Sequence, residues 1–174
     1  MQISETFLAE FEQESHTTRK FLERLPEDKL TWRPHEKSMS AGQLALHLAL
    51  VPGQVAELAR QDPAAIPDLS QPNPQPLSVR EVLDALDQSI QTVKDILSDL
   101  DDSTMQKTWR AVKDGHEILA MPRAAFLRSI LLNHWYQHRG QFSVYLRLLG
   151  QKVPSSYGPG ADELPDFLQK GQSA

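Results

Sequence analysis

Between residues 78 and 100 the apolar side chains recur in steps of three and four: Leu83, Leu86, Ile90, Val93, Leu97 and Leu100. That spacing is the period of an α-helix with one buried stripe, so the segment must pack against other helices. Ser78 and Glu81, three apart at its start, have the spacing of a capping box. Asp84, Asp87, Gln91, Lys94, Asp95 and Ser98 make up a solvated opposite face.

Three more stretches share this period. Residues 3–25 carry Phe7, Phe11, Thr18, Phe21 and Leu25 and are closed by Pro26. A second helix opens at Ser40, with Gln43 as capping-box partner, and sets Leu44, His47, Leu48, Val51, Val55 and Leu58 on one face. Pro52-Gly53 within it predicts a kink or break, because proline removes a backbone donor. The last helix is expected from Pro122 to about Leu149, with Gly150 as its stop. Residues 26–39 read as a loop, and 61–76, with Pro63, Pro67, Pro72, Pro74 and Pro76, as a long surface connection. Residues 102–122 break the helical period: 108–112 and 116–119 flank Lys113-Asp114-Gly115, a turn signal that predicts a short β-hairpin. The proline- and glycine-bearing tail beyond Gly150 should drape over the rest without regular structure. Four helices with long connections predict an all-α four-helix bundle, and 174 residues suit one domain across residues 1–174.

Composition narrows the function. The net charge is -5 and no basic stripe is visible, which argues against nucleic acid as a partner. No apolar run approaches the ~20 residues of a membrane span. The first residues lack the basic and apolar regions of a secretory signal, so a cytoplasmic place is expected. With no cysteine, disulfides, thiolate ligands and thiol nucleophiles are excluded.

The chemistry lies in the histidines. His134 and His138 are four apart, so their rings share one helix face, the spacing that presents two imidazoles to one ion. Their face is apolar, extended by Leu127, Ile130, Leu131, Phe142 and Tyr145. His47 sits in the apolar stripe of the second helix. Three core-facing histidines with no carboxylate evident to pair them need something to satisfy their nitrogens. Spacing alone leaves two readings open, a shared metal or ordinary hydrogen-bonded core histidines. Gln141, three residues beyond His138, shares that face and is a candidate to orient a ligand or a water. His16, His35 and His116 read as surface residues. Asn133, Tyr136 and Arg139 point away from the pair, and Trp32, Trp109 and Trp135 read as packing aromatics.

The run Asn133-His134-Trp135-Tyr136-Gln137-His138-Arg139-Gly140-Gln141, followed by Tyr145-Leu146-Arg147-Leu148-Leu149-Gly150, resembles the fourth-helix signature of the DinB-like (damage-inducible) family. Leu44-Ala45-Leu46-His47-Leu48-Ala49 after Trp32-Arg33-Pro34-His35 resembles it too, as do Val153-Pro154 and Tyr157-Gly158-Pro159 in the tail. The resemblance spans essentially the whole chain. It implies an up-up-down-down bundle, a homodimer, and a metal held by His47, His134 and His138. Pro52-Gly53 departs from the family's usual second helix.

Three neutral imidazoles would leave a coordination position open to water or substrate. Zinc or nickel heads the expected metals, with iron or copper next. Relatives of this fold include thiol-dependent transferases and isomerases, which implies a low-molecular-weight thiol as a second cofactor. The leading expectation is a metal-dependent hydrolase or thiol S-transferase acting on a small molecule. The alternative is a non-catalytic metal-binding stress-related or interaction protein, because no Asp or Glu falls on the ligand-bearing faces to act as general base.

Overall fold

The computed structural model describes residues 2–68, 70–165 and 168. Its frame is α1 (Ile3–Leu22), α2 (Ala41–Arg60), α3 (Val79–Ser98) and a last helical run. That run consists of α5 (Arg123–Phe126), a widened π-type segment (Leu127–Asn133) and α6 (His134–Leu148). Between α3 and α5 lie a short α4 (Asp102–Gln106) and the strands β2 (Thr108–Lys113) and β3 (His116–Pro122); β1 (Ala64–Ala65) follows α2. The four-helix bundle expected from the periodicity is therefore what forms.

The capping box at Ser40 is complete: Gln43 N donates to Ser40 Oγ at 3.1 Å, and Ser40 N donates to Gln43 Oε1 at 3.0 Å. At Ser78 only half of it forms. Ser78 Oγ accepts from Glu81 N, but the Glu81 carboxylate turns back to Leu77 N. The buried seam of α3 is also rotated from the expected one. Val82, Leu86, Ser89, Val93, Ile96 and Leu97 are buried, while Leu83 and Ile90 flank them.

The order of helix directions differs from the family-implied up-up-down-down. Glu12 meets Lys94, and the Ile3 amide donates to Asp102, so α1 and α3 are antiparallel. Gly53 meets Ser89 while Gly42 lies against Pro76 just before α3, so α2 and α3 are parallel. Trp135 meets Leu48 and Arg123 meets Ala59, so α6 runs against α2. The chain thus runs up, down, down, up. A 20-residue helix is ~30 Å long, and the 18 residues 61–78 suffice to retrace it as extended chain. The other connections only turn the chain at one end.

Of the kink or break expected at Pro52-Gly53, no break occurs, and α2 runs through it. Proline there cannot donate to the carbonyl of Leu48, four residues earlier. The Trp135 indole donates to that oxygen at 2.8 Å, and the next amide, Gly53 N, donates to Ser89 Oγ at 2.6 Å. Neighbouring helices thus take over the hydrogen bonds that proline disrupts.

The predicted hairpin is present. Asp114 and Gly115 both have positive φ, 51° and 78°, as a tight two-residue hairpin turn requires. The expectation missed β1, two alanines that pair in parallel with Ala111 and Val112 of β2. Trp109 lies buried, stacked on Phe126 with centroids 3.8 Å apart, and its indole donates to Leu58 O. Arg123 donates to Ala59 O and Thr104 O, closing the carbonyl end of α2. Residues 151–165 have no regular structure, as expected, and are tied down by Arg147–Asp162 and Arg24–Glu163. No helix among the described residues is long and apolar enough to cross a membrane.

Candidate metal centre

Two elements carry the site. On α2, His47 follows the complete Ser40 cap by two turns and lies among Leu44, Ala45, Leu48 and Val51, all buried. On α6, His134 is the first residue after the widened segment, and His138 is one turn further along. Widened turns of this kind interrupt the regular ladder and re-phase the helix beyond them. Trp135 anchors the same turn, stacked on Phe11 at 5.2 Å on one side and bonded to Leu48 on the other.

The three histidines come together as expected. Ring centroids are 4.4 Å apart for His134 and His138, 4.7 Å for His47 and His138, and 5.5 Å for His47 and His134. The rings are nearly perpendicular to one another, with interplanar angles of 80° to 89°. One nitrogen from each lies within 4.8 Å of the others. His134 Nε2 and His138 Nε2 are 3.0 Å apart, near the ~3.4 Å between two nitrogens on a tetrahedral ion with ~2.1 Å bonds.

Hydrogen bonding shows what the arrangement lacks. His138 Nδ1 is 2.9 Å from Gln141 Oε1, an oxygen that can only accept. The His138 proton therefore belongs on Nδ1, and its Nε2 presents a lone pair. His47 Nε2 and His134 Nδ1 are buried without any hydrogen-bond partner. A buried imidazole nitrogen left bare is costly, and a metal at the centre of the triad would satisfy the one on His47. Electrostatics favour the neutral rings that coordination requires. Burial, then the charges of His138 and His134, push the His47 ring down to about 4, with the Asn73 side chain opposing. Burial, then His138, lowers His134 as well. The donor set therefore fits a divalent ion that prefers nitrogen.

Gln141 sits where its spacing placed it, on the ring of His138. His16, His35 and His116 are exposed and take no part. Arg139 and Tyr136 do point away, toward α1. Asn73, from the proline-rich crossover, was missed: its backbone oxygen accepts from Gln43 Nε2 at 2.7 Å, one turn before His47 on α2. The one signal for it in the sequence was a polar residue held between two prolines, Pro72 and Pro74. Glu14 was missed too. It is a buried carboxylate, but it pairs with Arg139 on the far side of α6 rather than with a histidine.

Comparison with known proteins agrees with this frame. The uncharacterized protein YrdA of Bacillus subtilis is 28% identical over 165 residues, covering 92% of each chain. A solved DinB-like protein from Bacillus cereus superposes with a TM-score of 0.70 at 23% identity, over 88% of this chain and 97% of that one. A second, the DinB-like protein YjoA of Bacillus subtilis, gives 0.68 at 18% identity over 87% and 96%. The model of the DinB family matches residues 1–169, and the chain belongs to that family.

Proposed function

We propose that the chain is a divalent-metal enzyme of hydrolase or thiol S-transferase type, acting on a small molecule in the cytoplasm as a homodimer. The observation that carries this is the open donor set. Three imidazoles from two helices converge, and among the described residues no carboxylate joins them to close the sphere. Structural metal sites fill all four positions with protein groups, whereas catalytic ones keep one for water or substrate. His47, His134 and His138 would hold the ion, zinc or nickel before iron or copper, and Gln141 would keep His138 in the coordinating tautomer. The ion supplies Lewis acidity, which lowers the pKa of a water or of a thiol brought by a low-molecular-weight cofactor.

A second reading, a metal-binding protein without catalysis, has two observations in its favour. Glu14, the buried carboxylate of the interior, is already committed to Arg139. No carboxylate among the described residues lies within reach of the three rings to serve as a general base. The deciding experiment loads untagged protein with zinc, nickel or iron and screens it against ester, amide and thiol-conjugation panels. Turnover that disappears in His47→Ala supports the enzyme. Stoichiometric metal with background rates in every panel supports the second reading.

A further inference from the structure

Both stretches that carry the histidines are free of carboxylates. The chain has 23 acidic residues in 174, roughly one in every eight positions, so long gaps between them are notable. None occurs between Glu36 and Glu57, which bracket His47, and none between Glu117 and Asp162, which bracket His134 and His138. The part of the crossover fastened to α2 lies between Asp68 and Glu81 and has none either. Asp68 itself is exposed and taken up by Ser70 N and the Gln71 amide.

The fold does not bring acids back to the rings. Glu10 and Glu14, which α1 sends toward α6, are held by Arg128 and Arg139 on the other side of that helical run. Where a carboxylate could stand beside the triad, the chain has amides. Gln141 Oε1 is 2.9 Å from His138 Nδ1, the place in which an outer carboxylate often meets a metal-binding histidine. Trp135 meets Leu48 and Tyr145 meets Met39, so Gln43, between those two positions of α2, lies level with the turn from His138 to Gln141. It precedes His47 by one turn on the same face, and its Nε2 is tied to Asn73 O at 2.7 Å.

A divalent ion held by three neutral imidazoles keeps its double positive charge, and that charge acts strongly where water is partly excluded. We infer that the acid-free setting is a specificity device: the centre takes anionic donors in preference to neutral ones. Gln141 and Gln43 are the specificity-determining residues, because their neutral amides occupy positions from which a carboxylate would cancel part of the charge. The ligand class is a small monoanion, either a carboxylate or a thiolate whose S–H proton passes to solvent. The inference rests on the metal-binding reading above and narrows its substrate to an acid.

The test loads the unchanged chain, Gln141→Glu and Gln43→Glu with cobalt(II), whose visible absorption responds to its donors. Each is titrated at constant ionic strength with acetate, with 2-mercaptoethanol and with imidazole as the neutral donor. In the unchanged chain at least one of the two acids should shift the cobalt bands, and which one does so assigns the anion as carboxylate or thiolate. Gln141→Glu should weaken that acid on the order of tenfold, the effect of one added negative charge a few ångströms from the ion. Its affinity for imidazole should stay within about twofold. Gln43→Glu should act in the same direction by less, and it decides the matter if Gln141→Glu fails to take up cobalt. Equal acid affinity in the unchanged chain and the Glu variants would overturn the inference while leaving the metal centre standing. So would an equal loss of acid and imidazole, which marks general damage rather than charge. Cobalt uptake by the unchanged chain with no response to either acid would overturn it too, together with the open position of the proposed enzyme. Absence of cobalt binding would overturn the metal reading itself.

Discussion

The last helix has two polar sides inside the same bundle, and they are built on opposite principles. Toward α1, Arg139 is buried and meets the Glu14 carboxylate at 2.5 Å, with further bonds to Glu14 O, Thr18 Oγ1, Ser156 Oγ and Tyr157 OH. One turn earlier Tyr136 OH donates to Glu10, which Arg128 also grips with both guanidinium nitrogens at 2.7 and 2.8 Å. The Arg128 hydrogen bond holds the Glu10 carboxyl below its ordinary range, and burial raises both Tyr136 and Tyr157. Toward α2, beside the Trp135 indole bonded to Leu48 O, the same helix offers His134, His138 and Gln141, a cluster in which His47 Nε2 and His134 Nδ1 stay bare. Interior polar groups cost free energy until they are satisfied. The α1 side satisfies itself and so needs no ligand. The α2 side leaves two ring nitrogens unsatisfied.

The contrast breaks most sharply on the α2 side. His134→Ala removes one of three donors, and two imidazoles rarely hold an ion. Metal stoichiometry by elemental analysis should fall from near one to near zero, with helix content by circular dichroism unchanged. The leucine-rich seam carries the fold, and His134 gives it no hydrogen bond beyond His138. Full metal occupancy in the variant would show that the ligand set is wrong.

On the α1 side the expected effect is the reverse. Glu14→Ala strands the Arg139 charge in the interior, and removing one partner of a buried ion pair costs about 3–5 kcal/mol. Denaturant unfolding should show that loss, while zinc affinity of the folded protein stays within a few-fold of the unchanged chain. A variant that keeps its stability but loses metal would mean that the two sides are one network.

The sequence reveals these two sides unequally. Helix existence, the Ser40 cap, the hairpin and the histidine faces are local patterns, and periodicity or spacing carries them. Helix direction is not local, because an apolar stripe reads the same up or down. That α2 continues through Pro52 was not legible, because the groups that take over its hydrogen bonds, Trp135 and Ser89, are 83 and 37 residues away in the chain. Glu14 stands beside Glu12 and near His16, both exposed, and nothing nearby announces an arginine 125 residues further on. The α2 side was legible because its histidines form a spacing motif. The α1 side was not, because its charges are paired only by the fold.

Acid should separate the sides again, by a smaller effect. His47 is pushed down to about 4 and His134 is lowered, against about 6.5 for an ordinary imidazole. Below 6.5 the unfolded chain binds protons that the folded chain refuses, so the metal-free protein loses stability as pH falls from 6.5 toward 4. Metal competes with the same protons, and its release midpoint, followed by dialysis and elemental analysis, should fall between about 4 and 6.5. A midpoint above 6.5 would contradict the depressed rings, and retention at pH 3 would require carboxylate ligands.

The smallest expected change tests whether neutrality on the α2 side is a working feature. Gln141→Leu removes the acceptor that fixes the His138 proton on Nδ1, and His138 can then turn a protonated nitrogen toward the ion. Gln141 is half-buried and its side chain bonds the His138 ring, so the metal-free protein, which loses that one bond, should melt within a few degrees of the unchanged chain. Zinc affinity should drop by ~10–100-fold, the scale seen when a ligand loses its orienting partner. Gln141→Glu should bind zinc at least as tightly as the unchanged chain, because a charged acceptor makes the ring a better donor. If Leu and Glu variants bind alike, Gln141 only fills space. The α2 side would then hold its ion through His47, His134 and His138 alone, and its contrast with the saturated α1 network would rest on those three rings.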